Sequence, residues 1–210
     1  MYNMPYFKEK DFATVKSFMQ ANAFVVLCGA DLSGKPVATH VPVLIEERED
    51  ALYLQGHIMR QTDHHKIFAE NPQVLAIFNG PHTYVSASWY SKQQQASTWN
   101  YITVHAKGEL RFLEHDELIK ILEKMTAHFE NNPTSPSLLN NMPEEYVQRL
   151  SKAIIAFDIK VSAIDNVFKL SQNRDAKSFD TIVTNLQQKD APAIEIAVEM
   201  QKRKAQIFPS

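Results

Sequence analysis

The hydrophobic pattern changes period several times along this chain, and each change marks an element. Phe12, Val15, Phe18 and Met19 recur at helical spacing, with Asp11 placed to cap the first turn. FVVLCGA (24–30) is short and rich in β-branched residues, and DLSGKP after it has the Ser-Gly of a tight turn. VATHVPVLIE (37–46) and ALYLQGH (51–57) read as further strands joined by a charged turn. DHHKIFAENP then predicts a short helix, with Asp63 near its start and Asn71-Pro72 at its end.

β-pattern resumes at QVLAIFNG. HTYVSASWY alternates through to Tyr90, with Tyr84, Ser86, Ser88 and Tyr90 on one face and Val85, Ala87 and Trp89 on the other. TWNYITVHAKGELRFL predicts a long strand with Trp99, Tyr101, Thr103 and His105 opposite Asn100, Ile102 and Val104. HDELIKILEKMTAHFE is an amphipathic helix with Leu118, Ile121, Leu122 and Met125 inward. Residues 131–145, rich in Asn and Pro, read as a loop, and AIIAFDIKVSAIDNVFKL as another strand. The tail from about Asp175 reads as two helices separated near Pro192. Strands this closely spaced pair antiparallel, because parallel pairs need long crossovers. The expected class is mainly β (α+β), an antiparallel barrel or sandwich with peripheral helices.

Composition narrows the function. The formal net charge is −2, so the chain offers no general basic face for duplex DNA. The single cysteine, Cys28, excludes an internal disulfide and reads as a structural thiol. The first residues lack the layout of a signal peptide, and no apolar run approaches membrane-span length, so a cytoplasmic protein is expected. No G-x-G-x-x-G, Walker-type loop, H-E-x-x-H or G-x-S-x-G is present. Adjacent His64 and His65 diverge on a helix, so no metal site is expected, and no catalytic residue is identified. Asp116/Glu117 and Glu144/Glu145 read as solvated helix charges. The densest basic cluster is Lys202, Arg203 and Lys204 on the last helix.

Five stretches mix large rings with hydrogen-bonding groups: THVP (39–42), GHIMR (56–60), SASWY (86–90), TWNYITVH (98–105) and KLSQNR (169–174). That mixture suits a flat aromatic ligand with a polar rim. GHIMR leads from a strand into a helix, where Arg60 would suit a phosphate, although Asp63 as a cap would fill an anion's place.

These stretches, as ATHVPV, GHIMR, FNGPHTYVSASWY, STWNYITVHAKG and KLSQNR, resemble the PaiB-type family of FMN-binding negative transcriptional regulators over nearly the whole chain. More distantly, YLQGH…IFAENPQVLAIF is similar in layout to pyridoxamine-phosphate-oxidase-like split barrels. The resemblance implies a six-stranded split β-barrel over 1–174, with 175–210 as a helical appendage. It implies FMN as cofactor and a homodimer with FMN at the subunit interface. His57 and Arg60, after Gly56, would lie near the phosphate. Thr39, His40, Val41 and Pro42 would lie along the isoalloxazine. Trp99, Asn100 and Tyr101, with Lys169, Gln172 and Arg174, would complete the pocket. Alternation lets the Trp-Asn-Tyr trio serve both a flavin and an interface or core. Where family members read GHxARxNP, this chain has Thr62-Asp63, an acidic departure beside the phosphate seat.

Three functions follow from different classes: an FMN-binding regulator that senses flavin or redox state and acts on transcription, with direct DNA binding not favoured by the charge balance; an FMN-dependent oxidoreductase of the split-barrel class; and a cofactor-free dimer with a vestigial pocket.

Overall fold

The structure is a computed structural model that describes residues 1–92 and 94–209. Seven strands form one sheet in the order β2-β1-β5-β6-β7-β4-β3. The strands are β1 (Phe24–Ala30), β2 (Pro36–Pro42), β3 (Leu44–Arg48), β4 (Ala51–Met59), β5 (Gln73–Val85), β6 (Thr98–Phe112) and β7 (Ile154–Lys169). The α-helices are α1 (Phe12–Ala21), α2 (Asp63–Glu70), α3 (His115–Glu130), α4 (Glu144–Ser151), α5 (Ala176–Leu186) and α6 (Ala191–Ile207). The chain divides into two compact units. Unit 1 comprises Met1–Phe18, Asn79–Val104 and Asp165–Ser210, and unit 2 comprises Met19–Phe78 and His105–Ile164.

Unit 2 holds both edges of the sheet. β1 pairs antiparallel with β2 and with β5, while β4 pairs antiparallel with β3 and with β7. The outermost strands β2 and β3 are joined by Val43 alone, whose N–H donates to the Ala23 carbonyl at 2.9 Å. A one-residue link between opposite edges requires the sheet to curl, giving the split-barrel form of the α+β class. The barrel has seven strands, not the six expected. Residues 37–46 read as one strand from their pattern. Pro42 has no N–H to continue the ladder, and at Val43 the chain leaves one edge for the other. Val25, Leu27, Leu54, Phe78, Phe157 and Ile159 form the buried interior. α3 closes a second apolar cluster of Leu113, Leu118, Ile121, Met125 and Ala156.

In unit 1 the tail helices pack together, with Phe179 and Phe208 edge to face at 5.2 Å. Asp175 and Asp190 cap α5 and α6 through bonds from Ser178 N and Ala193 N. Two more local expectations are corrected. The alternation through Tyr90 stops at Val85, because Ser86 accepts from Ser88 N and turns residues 87–89 into a 3₁₀ helix. The loop expected over 131–145 ends at Pro143, where α4 begins with Glu144 and Glu145 in its first turn. Acidic side chains suit that helix end.

Candidate functional site

In unit 2 the candidate residues sit on β2, β4 and the turn into α2. β2 is an edge strand. It buries Val41, half-buries Thr39 and Pro42, and exposes His40, whose ring stacks on Phe24 at 6.1 Å. On β4, Gly56 lies between Gln55 and His57. A Cβ at Gly56 would come within 2.9 Å of the Pro42 carbonyl and 2.7 Å of the Phe157 ring, so only glycine lets these strands approach. Gln55 and His57, two residues apart, share one face of β4. Gln55 Oε1 and His57 Nδ1 are both buried and find no partner among the described residues. A buried polar atom left unbonded costs about 1–3 kcal/mol. Two on one strand face define a place where a polar-rimmed ligand gains bonds. Burial pushes the His57 imidazole below its ordinary pKa, so it is neutral near pH 7.

Beyond His57 the chain turns. Arg60 is pinned twice: its N–H donates to the Ala153 carbonyl and its Nε to the Ile154 carbonyl, both at 2.9 Å. Gln61 is left-handed at φ 64°. Thr62, not Asp63, caps α2, accepting from His65 N at 3.3 Å. Asp63 accepts from His64 N at 2.7 Å, and that bond holds its carboxyl below the usual range. The start of α2 is therefore filled by the chain's own oxygens. It presents no open helix amides to a phosphate.

In unit 1 the remaining candidates divide by strand face. Asn100 is fully buried, accepting from Ser171 Oγ at 3.1 Å and donating to Met200 Sδ at 3.5 Å. Trp99 and Tyr101 project from the other face of β6. Trp99 is 52% exposed and meets Tyr84 edge to face at 6.0 Å. Burial and the neighbouring Tyr2 raise the Tyr101 pKa. Past β7 the chain turns through Ser171 at φ 62°. The Gln172 amide is used inside that turn, accepting from Leu170 N at 2.7 Å and donating to the Phe168 carbonyl.

Lys169 and Arg174 line a pocket of about 190 Å³ within unit 1. Thr98, Asn100, Ser171 and Asn173 share its wall. Tyr2, Met4, Tyr6 and Phe7 supply the rest. Sequence reasoning missed these N-terminal residues and also Gln55. The ring density of MYNMPYF was the available signal; for Gln55 there was none, because only the fold shows its oxygen to be orphaned.

Among the described residues no group of three or more His, Cys, Asp or Glu side chains is placed to hold a metal. No described helix is long and apolar enough to cross a membrane. The basic cluster on α6 is neutralised locally. Lys202 and Arg203 pair with Glu199, Arg203 also with Glu9, and Lys204 with Asp180.

A curled antiparallel sheet whose outermost strands are joined by one residue defines a protein of the split-barrel class. Residues 1–163 match the family described as "Putative FMN-binding domain". The chain belongs to that family, and FMN is its cofactor. It is 33% identical over 97% of its length, and 98% of the relative's, to "Protease synthase and sporulation protein PAI 2" of Bacillus subtilis, so it is of the PaiB type. Among solved structures, flavocytochrome Anf3 of Azotobacter vinelandii matches with TM-score 0.54 at 12% identity, covering 80% of this chain and 72% of that one. Conserved hypothetical protein Rv2991 of Mycobacterium tuberculosis matches with TM-score 0.57 at 10% identity, covering 80% and 91%. At these identities the two share the fold.

Proposed function

We propose that this chain is an FMN-binding negative regulator of the PaiB type that works as a homodimer and acts without direct contact between its own surface and DNA. The observation that carries the reading is the end-to-end similarity to the Bacillus subtilis protein. In this reading Arg60 and His57 hold the phosphate end of FMN, with Gln55 offering an acceptor. Thr39, His40, Val41 and Pro42 run along the ring system. The bound flavin would supply one- or two-electron redox chemistry, and the protein supplies orientation and charge. Residues 1–174 form the FMN-binding domain, and 175–210 its appendage.

Two features of the surface support the rest. Trp99 and Tyr84 are exposed aromatics in contact, and large exposed rings favour an interface. A second copy of the chain is the proposed occupant. The basic residues of α6 already have carboxylate partners, so that helix has little free charge to replace counterions on DNA.

The test is the visible absorbance of purified protein, then titration with FMN and FAD, with light scattering for mass. Saturable FMN binding weakened by Arg60→Ala, and a dimer lost in Trp99→Ala, are the expected results. A colourless monomer that ignores FMN would overturn the proposal. A sequence-preferring gel shift at low salt would overturn the indirect mode of regulation.

A further inference from the structure

We propose that the pocket in unit 1 built around Lys169 and Arg174 is a separate binding site for a small oxyanion, a carboxylate or phosphate group carried by a compact ligand. The inference does not rest on the FMN assignment. It begins with charge. The pocket lining contains two cations and no carboxylate. Among the described residues neither Lys169 nor Arg174 makes an ion pair, whereas Lys8, Lys202, Arg203 and Lys204 of the same unit each have an acidic partner.

The two cations are also held in place by contacts that leave their charge uncompensated. The Lys169 ammonium donates to the Thr98 hydroxyl and lies 5.3 Å from the Tyr2 ring centre and 5.9 Å from that of Phe7. Arg174 stacks on Tyr90 at 4.0 Å and donates to the Gln95 amide oxygen. Ring faces steady a cation without neutralising it. Burial, then the charge of Arg174, lower the Lys169 pKa, which is the electrostatic cost a bound anion would relieve.

The frame is preformed. Ser171 holds its left-handed turn with a hydroxyl bonded to buried Asn100, and Gln172 braces the turn from within. Preorganised donors lose little entropy on binding. Size then limits the occupant. About 190 Å³ falls below the roughly 300–1,000 Å³ of pockets that enclose drug-sized ligands, so the site suits a compact ligand. Tyr2 and Tyr6 favour a ligand with an apolar or aromatic body behind its charged group. The family match ends at residue 163, before either cation.

The experiment is calorimetric titration of the full chain with sodium phosphate, acetate and benzoate at ionic strength fixed by chloride, alongside a separate FMN titration. Saturable binding of at least one anion is expected. It should weaken about tenfold or more in Lys169→Met and Arg174→Gln, as loss of a charged contact predicts. Phosphate alone would identify a phosphate site; benzoate over acetate would identify an aromatic carboxylate. Absence of saturable binding by all three overturns the proposal. So does phosphate competition with FMN that disappears in Lys169→Met and Arg174→Gln, since the pocket would then be the flavin's own phosphate seat. If Lys169→Met does not fold, exposed Tyr2→Ala replaces it, and unchanged benzoate and phosphate affinity there would also overturn the site. Loss of FMN binding with anion binding intact would refute only the flavin assignment.

Discussion

Replacing Gly56 by alanine tests the frame that carries Gln55 and His57. The new Cβ would lie 2.7 Å from Phe157 Cζ, 3.2 Å from its Cε1 and 2.9 Å from the Pro42 carbonyl oxygen. Comfortable carbon contacts are about 3.5–4.0 Å, so the shortfall on the ring side is close to an ångström. Phe157 is fully buried and stands opposite Gly56 across the β4–β7 ladder, so its ring has no solvent to swing into. The other obstacle is backbone. Overpacking of this kind costs about 1–3 kcal/mol, and the blocked retreat on both sides selects the upper half. Loss of glycine's freedom in the unfolded chain returns about 0.4–1 kcal/mol. The net expectation is about 1–2.6 kcal/mol, or a Tm lower by about 2–10 °C for a chain of this size. Urea unfolding measures the first and thermal melting the second. FMN affinity should fall as well, because β4 must shift to relieve the clash. Stability within about 0.5 kcal/mol of the parent, with unchanged FMN affinity, would refute the reasoning. Gly34→Ala is the control. Its Cβ meets nothing within 4 Å, but φ is +88°, so about 1–2 kcal/mol of strain is expected with no effect on FMN.

Arg48→Met should destabilise by about 3 kcal/mol in urea unfolding, the low end of the range for breaking a buried pair, because Asp158 is 4% exposed and loses a two-pronged partner at 2.8 and 3.1 Å. Adding Asp158→Leu should recover most of that loss. Arg60→Ala should weaken FMN by about tenfold or more in a fluorescence titration while stability moves by less than about 1 kcal/mol. Asp175 has its carboxyl lowered from 3.8 to about 2, chiefly by the N–H and hydroxyl of Ser178. A depressed carboxylate adds stability that is full above the unfolded value and is lost as pH falls through the folded one. Melting curves between about pH 4 and pH 2 should therefore be flatter for Asp175→Asn than for the parent.

Much of this architecture was legible because the pattern and the packing obey the same period. The Asn100, Ile102 and Val104 face of β6 is buried as its alternation predicts, and the cap at Asp11 lies where a short polar side chain precedes an apolar repeat. What the pattern could not carry was a change of partner without a change of period. Residues 37–46 read as one strand, yet Val43 hands the chain from one edge of the sheet to the other. Ser86 breaks its strand by bonding Ser88 N, an outcome that competes on equal terms with alternation. The candidate residues were legible as types but not as roles. Gln172 has the chemistry to read a ligand and uses it to brace its own turn. Gln55 reads as an ordinary strand residue, yet its buried oxygen has no partner among the described residues.

The Trp-Asn-Tyr run shows how one strand meets demands that a single face could not. Alternation places Asn100 alone on the inward side, where Ser171 and Met200 take up its amide and fix the turn after β7 to the last helix. An apolar residue there would fill the space but leave Ser171 without its acceptor. Trp99 and Tyr101, one step away on either side, are turned outward by the same pleat and never enter that packing. The asparagine therefore answers to the fold, and the two rings are free to answer to a ligand or a partner. The outward position of both rings follows from the inward position of Asn100, so the one residue accounts for both features of the run.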